Sequence, residues 1–232
     1  PATTADGDLL SGHKTLVVDG DLADVLVVSA QVGGVPGLFC VRADAEGVTV
    51  RRQQMLDPTR GSAEVWFDGA AATRLDVSDR TATVVGDVLD RARIALAAEQ
   101  VGGAAHCLET AVEHVKAREQ FGRPIGSFQA VKHKCARVLY DLEAARCAAW
   151  YAAWAVEEAP EELPMVVPTV KYLCSEAFQT AARDCVHLLG GIGFTWEHPA
   201  HLYLKRATTA AQFLGSPTDS LHRLADTMFD AP

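Results

Sequence analysis

The hydrophobic pattern of this chain changes its period near residue 78. Before that point, stretches such as KTLVVDG, ADVLVVSA and AEVWFDG are short, rich in Val, Leu and aromatic residues, and bounded by Gly, Asp or Pro. This pattern is typical of strands joined by turns. After it, apolar residues recur with helical spacing over long stretches. The sequence therefore predicts an α+β chain, with a small antiparallel β domain over residues 1–77 and an antiparallel helical bundle over residues 78–232.

Gly, Pro and Ser residues divide the helical part into separate helices. A first helix is predicted from about residue 81 to residue 120, and the loop GRPIGS follows it. Ser127 is a suitable N-cap for a second helix. A third helix is predicted from about Val167, with Pro168 in its first turn, to Leu189. Long helices joined by short loops pack as an antiparallel bundle.

Composition and charge exclude several functions. The net charge is −9, whereas nucleic acids are bound by basic surfaces. The chain has no apolar run of transmembrane length, so no membrane partner is expected. Its six cysteines form no CxxC pair, which predicts neither a disulfide framework nor a metal site. We therefore expect a soluble cytoplasmic protein.

The segment AREQFGRPIGSFQAVKHK gathers positive charge at a corner between two helices. Arg118 lies near the end of the first helix and Gln129 in the first turn of the second. Free backbone N–H groups and the helix dipole favour an anion at such a helix start. The segment therefore predicts a phosphate site. The alternative is that Arg118 only suits a helix C-terminus and that the lysines are solvated.

The third helix ends in HLLGGIGFTWEHP, where three glycines fall within four residues. Gly190 alone would serve as a helix C-cap with positive φ. Gly191 and Gly193 are more than a cap requires. Together they predict a close approach to this backbone, either by another helix or by a ligand.

The segments REQFGRPIGSFQAVKH, LLGGIGFTWEHPAHLYLKRA and GDLLSGHKTLVVDGDLADVLVVSA together resemble the C-terminal half of the acyl-CoA dehydrogenase family, in its order and at about its spacing. The resemblance implies an FAD enzyme that desaturates acyl-CoA thioesters between Cα and Cβ. The β segment would be the family's middle domain and the helices its C-terminal domain. The family's N-terminal helical domain, which would precede Pro1, is absent from this sequence.

The resemblance also implies where the cofactor would lie. In this family, the C-terminal bundle of one subunit contacts the ADP half of an FAD whose flavin ring lies on a neighbouring homologous subunit, within a homo- or heterotetramer. His187 stands where many members have glutamine. The implied cofactor-binding residues are Arg118 and Gln120 at the pyrophosphate, Phe121, Phe128 and Gln129 around the ADP moiety, and His187, Leu189, Gly190 and Gly191, of which the last three would present backbone.

The positions that carry the family's catalytic glutamate hold other residues in this chain. Many members have the glutamate in a Tyr-Glu-Gly-Thr stretch after the fourth bundle helix, where this chain has Leu214, Gly215 or Ser216. A second group has it in the first bundle helix, where this chain has Ala92. Asp90 is nearby in sequence but points about 200° away round the helix. We therefore expect no catalytic base in this chain.

The flavin-facing strand departs from the family as well. Many members have Trp-Ile-Thr where this chain has Leu16, Val17 and Val18. The sequence favours a subunit of a heteromeric acyl-CoA dehydrogenase that completes the FAD site but lacks the glutamate. One alternative is a self-sufficient homo-oligomeric enzyme whose base lies elsewhere, in the absent N-terminal part or at Asp90. Another is a degenerate module that acts only in assembly.

Overall fold

The computed structural model describes residues 3–75, 77 and 80–229. The chain divides into two compact units, Pro1–Val88 and Leu89–Pro232, and each is described by itself. Residue 78, where the sequence predicts the second domain to begin, lies outside the described residues. A β unit followed by a helical unit confirms the predicted α+β class.

The first unit is built on one seven-stranded sheet in the order β5-β6-β2-β1-β3-β4-β7. Most neighbours are antiparallel, but β1 and β3 run parallel. The chain passes from β2 across β1 to β3, which gives β3 the direction of β1. The strands are β1 (Thr4–Asp6), β2 (Leu9–Val18), β3 (Val25–Val32), β4 (Val35–Arg42), β5 (Val48–Arg52), β6 (Ser62–Ala71) and β7 (Thr73–Leu75).

The core of this unit is formed by side chains that alternate between buried and exposed positions along the strands. In β3, Val28 is buried while its neighbour Val27 is exposed, because successive side chains point to opposite faces. Leu10, Phe39 and Val65 from three other strands join the same buried cluster. The sheet is therefore apolar on the face that covers the core.

The second unit consists of long helices and short connections. Among the described residues, none of its helices is both long and apolar enough to cross a membrane. Tight 3-10 turns lie at Ile125–Ser127, Pro160–Glu162 and Gly190–Phe194. The helices are α1 (Thr81–Ala117, which begins within the first unit), α2 (Gln129–Glu158), α3 (Leu163–Leu189), α4 (Ala200–Gln212) and α5 (Pro217–Phe229).

Three boundaries differ from the sequence prediction. Helix α1 ends at Ala117 rather than near residue 120, because the following residues form a hairpin of β8 (Glu119–Gln120) and β9 (Arg123–Pro124). Ser127 does not cap α2, since it belongs to a 3-10 turn and Phe128 is the N-cap. Helix α3 begins before Val167. Pro164 occupies its first turn and Pro168 lies inside it.

The packing brings the C-terminal ends of α1 and α3 to one end of the bundle. A Cβ at Gly103 of α1 would lie 2.4 Å from the ring of Phe178 of α3, so these two helices approach closely. Near their C-terminal ends, Val115 of α1 and Leu188 of α3 belong to one apolar cluster. Ile125, from the α1–α2 connection, packs against that cluster as well. The two segments that the sequence singled out therefore lie at the same end.

Candidate cofactor-binding site

The β8–β9 hairpin presents an aromatic ring to solvent. Its two turn residues, Phe121 and Gly122, have φ of 55° and 75°, which is the combination of a type I′ turn. A bulky side chain rarely adopts positive φ, and such backbone strain is concentrated at functional sites. The Phe121 side chain is 92% exposed, so burial in the described chain does not explain the strain.

Backbone hydrogen bonds fix this hairpin to the end of α1 and leave its side chains outside. The N–H of Arg118 donates to the carbonyl of His114 (2.8 Å), and the N–H of Ile125 donates to the carbonyl of Arg118 (2.8 Å). The Arg118 and Gln120 side chains are exposed. The backbone is thus held in place while the guanidinium remains accessible to an anion.

Aromatic and cationic side chains line the approach to α2. The rings of Phe121 and Phe128 meet edge to face, with centroids 6.0 Å apart. The guanidinium carbon of Arg123 lies 4.2 Å from the centre of the Phe128 ring. Gln129 is the first residue of α2, where backbone N–H groups lack intrahelical partners. This arrangement suits a ligand that is both planar and anionic.

The three glycines after α3 differ in the reason why a glycine is needed at each position. Gly190 has φ of 66° and ψ of −138°, a conformation that other residues avoid. A Cβ at Gly193 would lie 2.7 Å from the carbonyl oxygen of Val186, so the turn's own packing requires this glycine. Counting only the described residues, a Cβ at Gly190 or Gly191 would meet no atom within 4 Å. Internal packing therefore does not account for Gly191.

The other two residues of this segment differ in exposure. The side chain of Leu189 is buried, so this residue offers only its backbone to a ligand. The His187 side chain is exposed, and its carbonyl accepts a hydrogen bond from the N–H of Gly190. The open surface at this turn is therefore mostly backbone with one imidazole beside it.

One partly buried histidine, His114, lies within electrostatic reach of both segments. Burial lowers the pKa of His114, and the positive charges of Arg118 and of His198 lower it further. Since His198 follows the glycine turn, the two segments are close enough to share an electrostatic environment. We call residues 118–129 and 187–191 together the cradle.

At the other end of α1, the residues around the first glutamate position are held by ion pairs. Ala92 lies beside Arg93, whose Nη1 donates to Oδ1 of Asp90 (2.7 Å). Arg223 of α5 binds both oxygens of the same carboxylate at 2.6 Å. Burial raises the pKa of Asp90, but the hydrogen bonds and charges of Arg223 and Arg93 outweigh it, and the pKa is lowered overall. Such a carboxylate is a poor proton acceptor.

The second glutamate position lies in a turn whose residues form hydrogen bonds within this chain and cap the next helix. The carbonyl of Leu214 accepts a hydrogen bond from Nε of Arg93 (2.8 Å). Leu214 and Gly215 both have positive φ. Ser216 caps α5, because its hydroxyl accepts from the N–H of Asp219 (3.1 Å) and the Asp219 carboxylate accepts from the N–H of Ser216 (2.8 Å). None of the three residues carries a base for carbon acids.

A fully buried lysine fixes the helix that leads into this turn. Nζ of Lys171 donates to the carbonyls of Ala210 (3.2 Å) and Ala211 (2.9 Å) in the last turn of α4, and to Oγ of Ser175 (3.0 Å). Gln100 donates to the same Ser175 hydroxyl (3.0 Å). Burial lowers the pKa of Lys171 to about 8, and the charge of Arg93 contributes. We call Asp90, Arg93, Arg223, Lys171 and the turn 213–216 the locked end.

The predicted flavin-facing residues lie on an irregular part of β2. Pairing with β6 shifts register between Lys14 and Val17, and Leu16 adopts a φ of 56°. The side chains of Leu16 and Val18 are exposed. The N–H of Leu16 donates to Oε1 of Gln53 (3.3 Å). The segment is therefore open to a ligand but offers it neither an indole nor a hydroxyl.

Sequence reasoning did not find the partners of the locked end. Lys171 and Ser175 stand one turn apart on the buried face of α3, among apolar residues. Two polar residues at core positions in one helix are a detectable signal of a buried network. The partnership of Asp90 with Arg223 joins residues 133 positions apart, and one sequence carries no signal for it.

Comparison with known proteins now identifies the class. The family model described as "Acyl-CoA dehydrogenase, C-terminal domain" matches residues 82–225, more than half of the chain. The chain therefore belongs to the acyl-CoA dehydrogenase family, which confirms the resemblance seen in its sequence.

Individual relatives agree with this assignment. The chain is 40% identical over 218 residues to the acyl-CoA dehydrogenase IpdE2 of Mycobacterium tuberculosis, covering 93% of this chain and 61% of the relative. It matches the ChsE4-ChsE5 complex from Mycobacterium tuberculosis with a TM-score of 0.87 and 30% identity, covering 100% of this chain and 63% of that chain. A Tcur3481-Tcur3483 steroid acyl-CoA dehydrogenase variant matches with a TM-score of 0.86 and 34% identity, covering 99% and 63%. This chain thus spans about three fifths of each of these three proteins.

Proposed function

We propose that this chain is a subunit of a heteromeric, FAD-dependent acyl-CoA dehydrogenase, which completes an FAD site with its cradle and contributes no catalytic base. The substrate would be an acyl-CoA thioester, and the partner a homologous subunit. Two of the similar structures are of two-protein assemblies, and one of these is a steroid acyl-CoA dehydrogenase. Free cysteines throughout the described chain suit a cytoplasmic location.

The cradle fits the nucleotide half of FAD. The exposed guanidinium of Arg118 suits a phosphate, and the first turn of α2 adds unpaired N–H groups beside it. The open backbone at Gly190 and Gly191 lets a flat or bulky ligand approach without meeting a side chain. Bound FAD would supply the hydride acceptor for the desaturation. The role of this chain would be to hold and orient the cofactor.

The distance between the cradle and the glutamate positions supports a cradle that binds FAD for the active site of another subunit. Ala92 and Arg118 are 26 positions apart on and just beyond α1. At a rise of 1.5 Å per residue, this separation is about 40 Å. An FAD held in the cradle would therefore end far from the glutamate positions of the same bundle. The base that acts on its substrate would come from the neighbouring subunit.

One observation carries the proposed absence of a base. The sequence Phe213-Leu214-Gly215-Ser216 keeps the aromatic, glycine and hydroxyl positions of Tyr-Glu-Gly-Thr, which puts Leu214 at the glutamate. The carboxylate of Asp90 is held by two arginines and has a lowered pKa. Removing the α proton of a thioester requires a base, whose contribution is about 10²- to 10⁴-fold or more.

Flavin retention tests the proposal. The chain would be purified alone and after co-expression with homologous acyl-CoA dehydrogenase subunits, and flavin measured by absorbance. We expect stoichiometric flavin only in a co-purified complex. An Arg118→Ala chain in the same complex should lose flavin, whereas Lys116→Ala, which removes an exposed charge just outside the cradle, should not. Full flavin occupancy and turnover in the isolated chain would overturn the proposal.

A further inference from the structure

Two cysteines lie between helices α1 and α3 of the bundle. Cys107 of α1 and Cys185 of α3 are both buried in one apolar cluster. The two side chains interact with each other and line the same cavity. Small residues surround them, including Ala104 and Ala181, and Gly103 lies against the Phe178 ring one turn away. The close approach of α1 and α3 therefore brings the two cysteines to one place in the core.

A cavity of about 160 Å³ reaches this pair. Since a water molecule occupies about 30 Å³ in the liquid, the cavity holds a few molecules of that size. Its walls carry two imidazoles, a hydroxyl and a phenol beside the two sulfur atoms. The lining residues are His106, Cys107, Thr110, Cys185, His198, Pro199, Ala200 and Tyr203. A small polar molecule can thus contact thiols that a larger reagent does not reach.

The environment shifts the pKa values of the two thiols in opposite directions. The S–H of Cys107 donates to Cys185, which lowers the pKa of the Cys185 thiol even though burial opposes this. The same hydrogen bond, together with burial, raises the pKa of Cys107. Cys185 is therefore the sulfur that ionises first, and the thiolate is the reactive form of cysteine.

We propose that Cys107 and Cys185 form a dithiol site for a small peroxide such as hydrogen peroxide, which converts the pair into a disulfide. The Cys185 thiolate attacks one peroxide oxygen, the O–O bond breaks, and Cys185 becomes a sulfenic acid as the other oxygen leaves as hydroxide, which takes up the proton that the Cys185 thiol had released and becomes water. The Cys107 sulfur then attacks the Cys185 sulfur, and the S–S bond forms as a second water leaves. Two thiols are oxidised by two electrons, and one peroxide is reduced to two waters.

The size of the cavity sets the selectivity of this site. Hydrogen peroxide is close to water in size and fits the space beside the sulfur atoms. Glutathione disulfide does not fit it and would need the helices to separate. We therefore expect peroxide to oxidise the pair in the folded protein and glutathione disulfide to leave it reduced.

Peptide mapping of the native protein tests this site directly. The protein in its assembly would be treated with hydrogen peroxide, unfolded, alkylated and digested, and its peptides identified by mass spectrometry. We expect a Cys107–Cys185 cross-linked peptide and the loss of two alkylatable thiols from the six of the chain. If both cysteines remain fully alkylatable while the exposed Cys147 is oxidised, the proposal is wrong.

Cys174 and two variants provide matched controls. Cys174 is also buried, but its S–H donates to the carbonyl of Ala145 and burial raises its pKa to about 12, so it should stay reduced. In Cys107→Ser, whose hydroxyl can still donate to Cys185 but cannot form a disulfide, Cys185 should accumulate as a sulfenic acid that dimedone traps when the protein is unfolded. In Cys185→Ala, dimedone should not label Cys107. Equal labelling of the two variants would contradict the assigned order of attack.

Discussion

The two ends of the helical unit treat their polar groups in opposite ways. In the cradle, the side chain of Arg118 is exposed, and the backbone at Gly191 is exposed as well. At the locked end, the carboxylate of Asp90 binds two guanidinium groups. The ammonium group of Lys171 donates hydrogen bonds to backbone carbonyls and a hydroxyl. The cradle has kept groups that are free to bind a ligand. At the locked end, the charged groups bind one another or the backbone and thereby stabilise the fold.

This difference supports the proposed function. Groups that bind a ligand must be accessible before the ligand arrives, whereas groups satisfied internally resist being recruited for chemistry. An acyl-CoA dehydrogenase bundle with an open cradle and a locked base position suits a subunit that binds cofactor for a neighbour. Five substitutions in four experiments test this contrast, in order of decreasing expected effect.

The largest effect should come from Lys171→Met at the locked end. The pKa of Lys171 falls from 10.5 to about 8 in the folded chain, so the unfolded chain binds more protons between these pH values. The free energy of unfolding of the wild type should therefore rise with pH across this window, by roughly 3 kcal/mol from this group. The Met variant should lose that rise. Urea unfolding of both proteins at pH 7.5 and 10.5 measures it, and equal pH slopes would refute the assignment.

Arg118→Ala should weaken the cradle without affecting the locked end. A charge-assisted contact to phosphate contributes about 1.5–3 kcal/mol, so FAD affinity in the assembly should fall roughly tenfold to a hundredfold. Thermal stability of the flavin-free protein should stay within about 0.5 kcal/mol, because Arg118 is exposed. Equilibrium dialysis of FAD measures the loss. Unchanged affinity would remove Arg118 from the site.

Two glycine substitutions separate packing from ligand binding. Gly193→Ala should destabilise the fold by about 1–3 kcal/mol, because its Cβ would lie 2.7 Å from the Val186 carbonyl oxygen. Gly191→Ala should leave stability nearly unchanged and reduce flavin retention. Chemical denaturation and flavin absorbance on both variants give the comparison. Loss of stability in Gly191→Ala with normal flavin content would reverse the interpretation of this glycine.

The smallest effect is expected from restoring a carboxylate with Leu214→Glu. The residues at the flavin-facing strand, Leu16, Val17 and Val18, would still lack an indole and a hydroxyl. We therefore expect no acyl-CoA-dependent flavin bleaching from this change in an assembly whose homologous subunit has lost its own glutamate. Bleaching above the wild-type background would show that the site was otherwise intact.

The fold was predictable because it depends on periodicity. The change from strands to helices and the end of α3 at Leu189 both follow from local patterns. The parallel pairing of β1 with β3 was not predicted, since it depends on which strand inserts between which neighbours. The hairpin at Phe121 was not predicted either, because aromatic residues rarely adopt positive φ and the local sequence continues the helical pattern.

The candidate site was predictable only in part. Its segments carry polar residues and glycines that stand out from the helical pattern, and the placement of their residues as FAD ligands remains a proposal. The dithiol at Cys107 and the lock around Asp90 depend on contacts between distant positions. One sequence does not encode such contacts in any local pattern. Packing of the helices brings them together.

The most direct measurement is flavin reduction in an assembly of this chain with a homologous subunit whose glutamate base has been replaced by glutamine. That complex retains FAD, and any remaining base must come from this chain. Acyl-CoA would be added under anaerobic conditions, and flavin absorbance followed by stopped flow. The account predicts that the flavin band stays constant. Bleaching at an ordinary enzymatic rate would show that this chain supplies a base of its own.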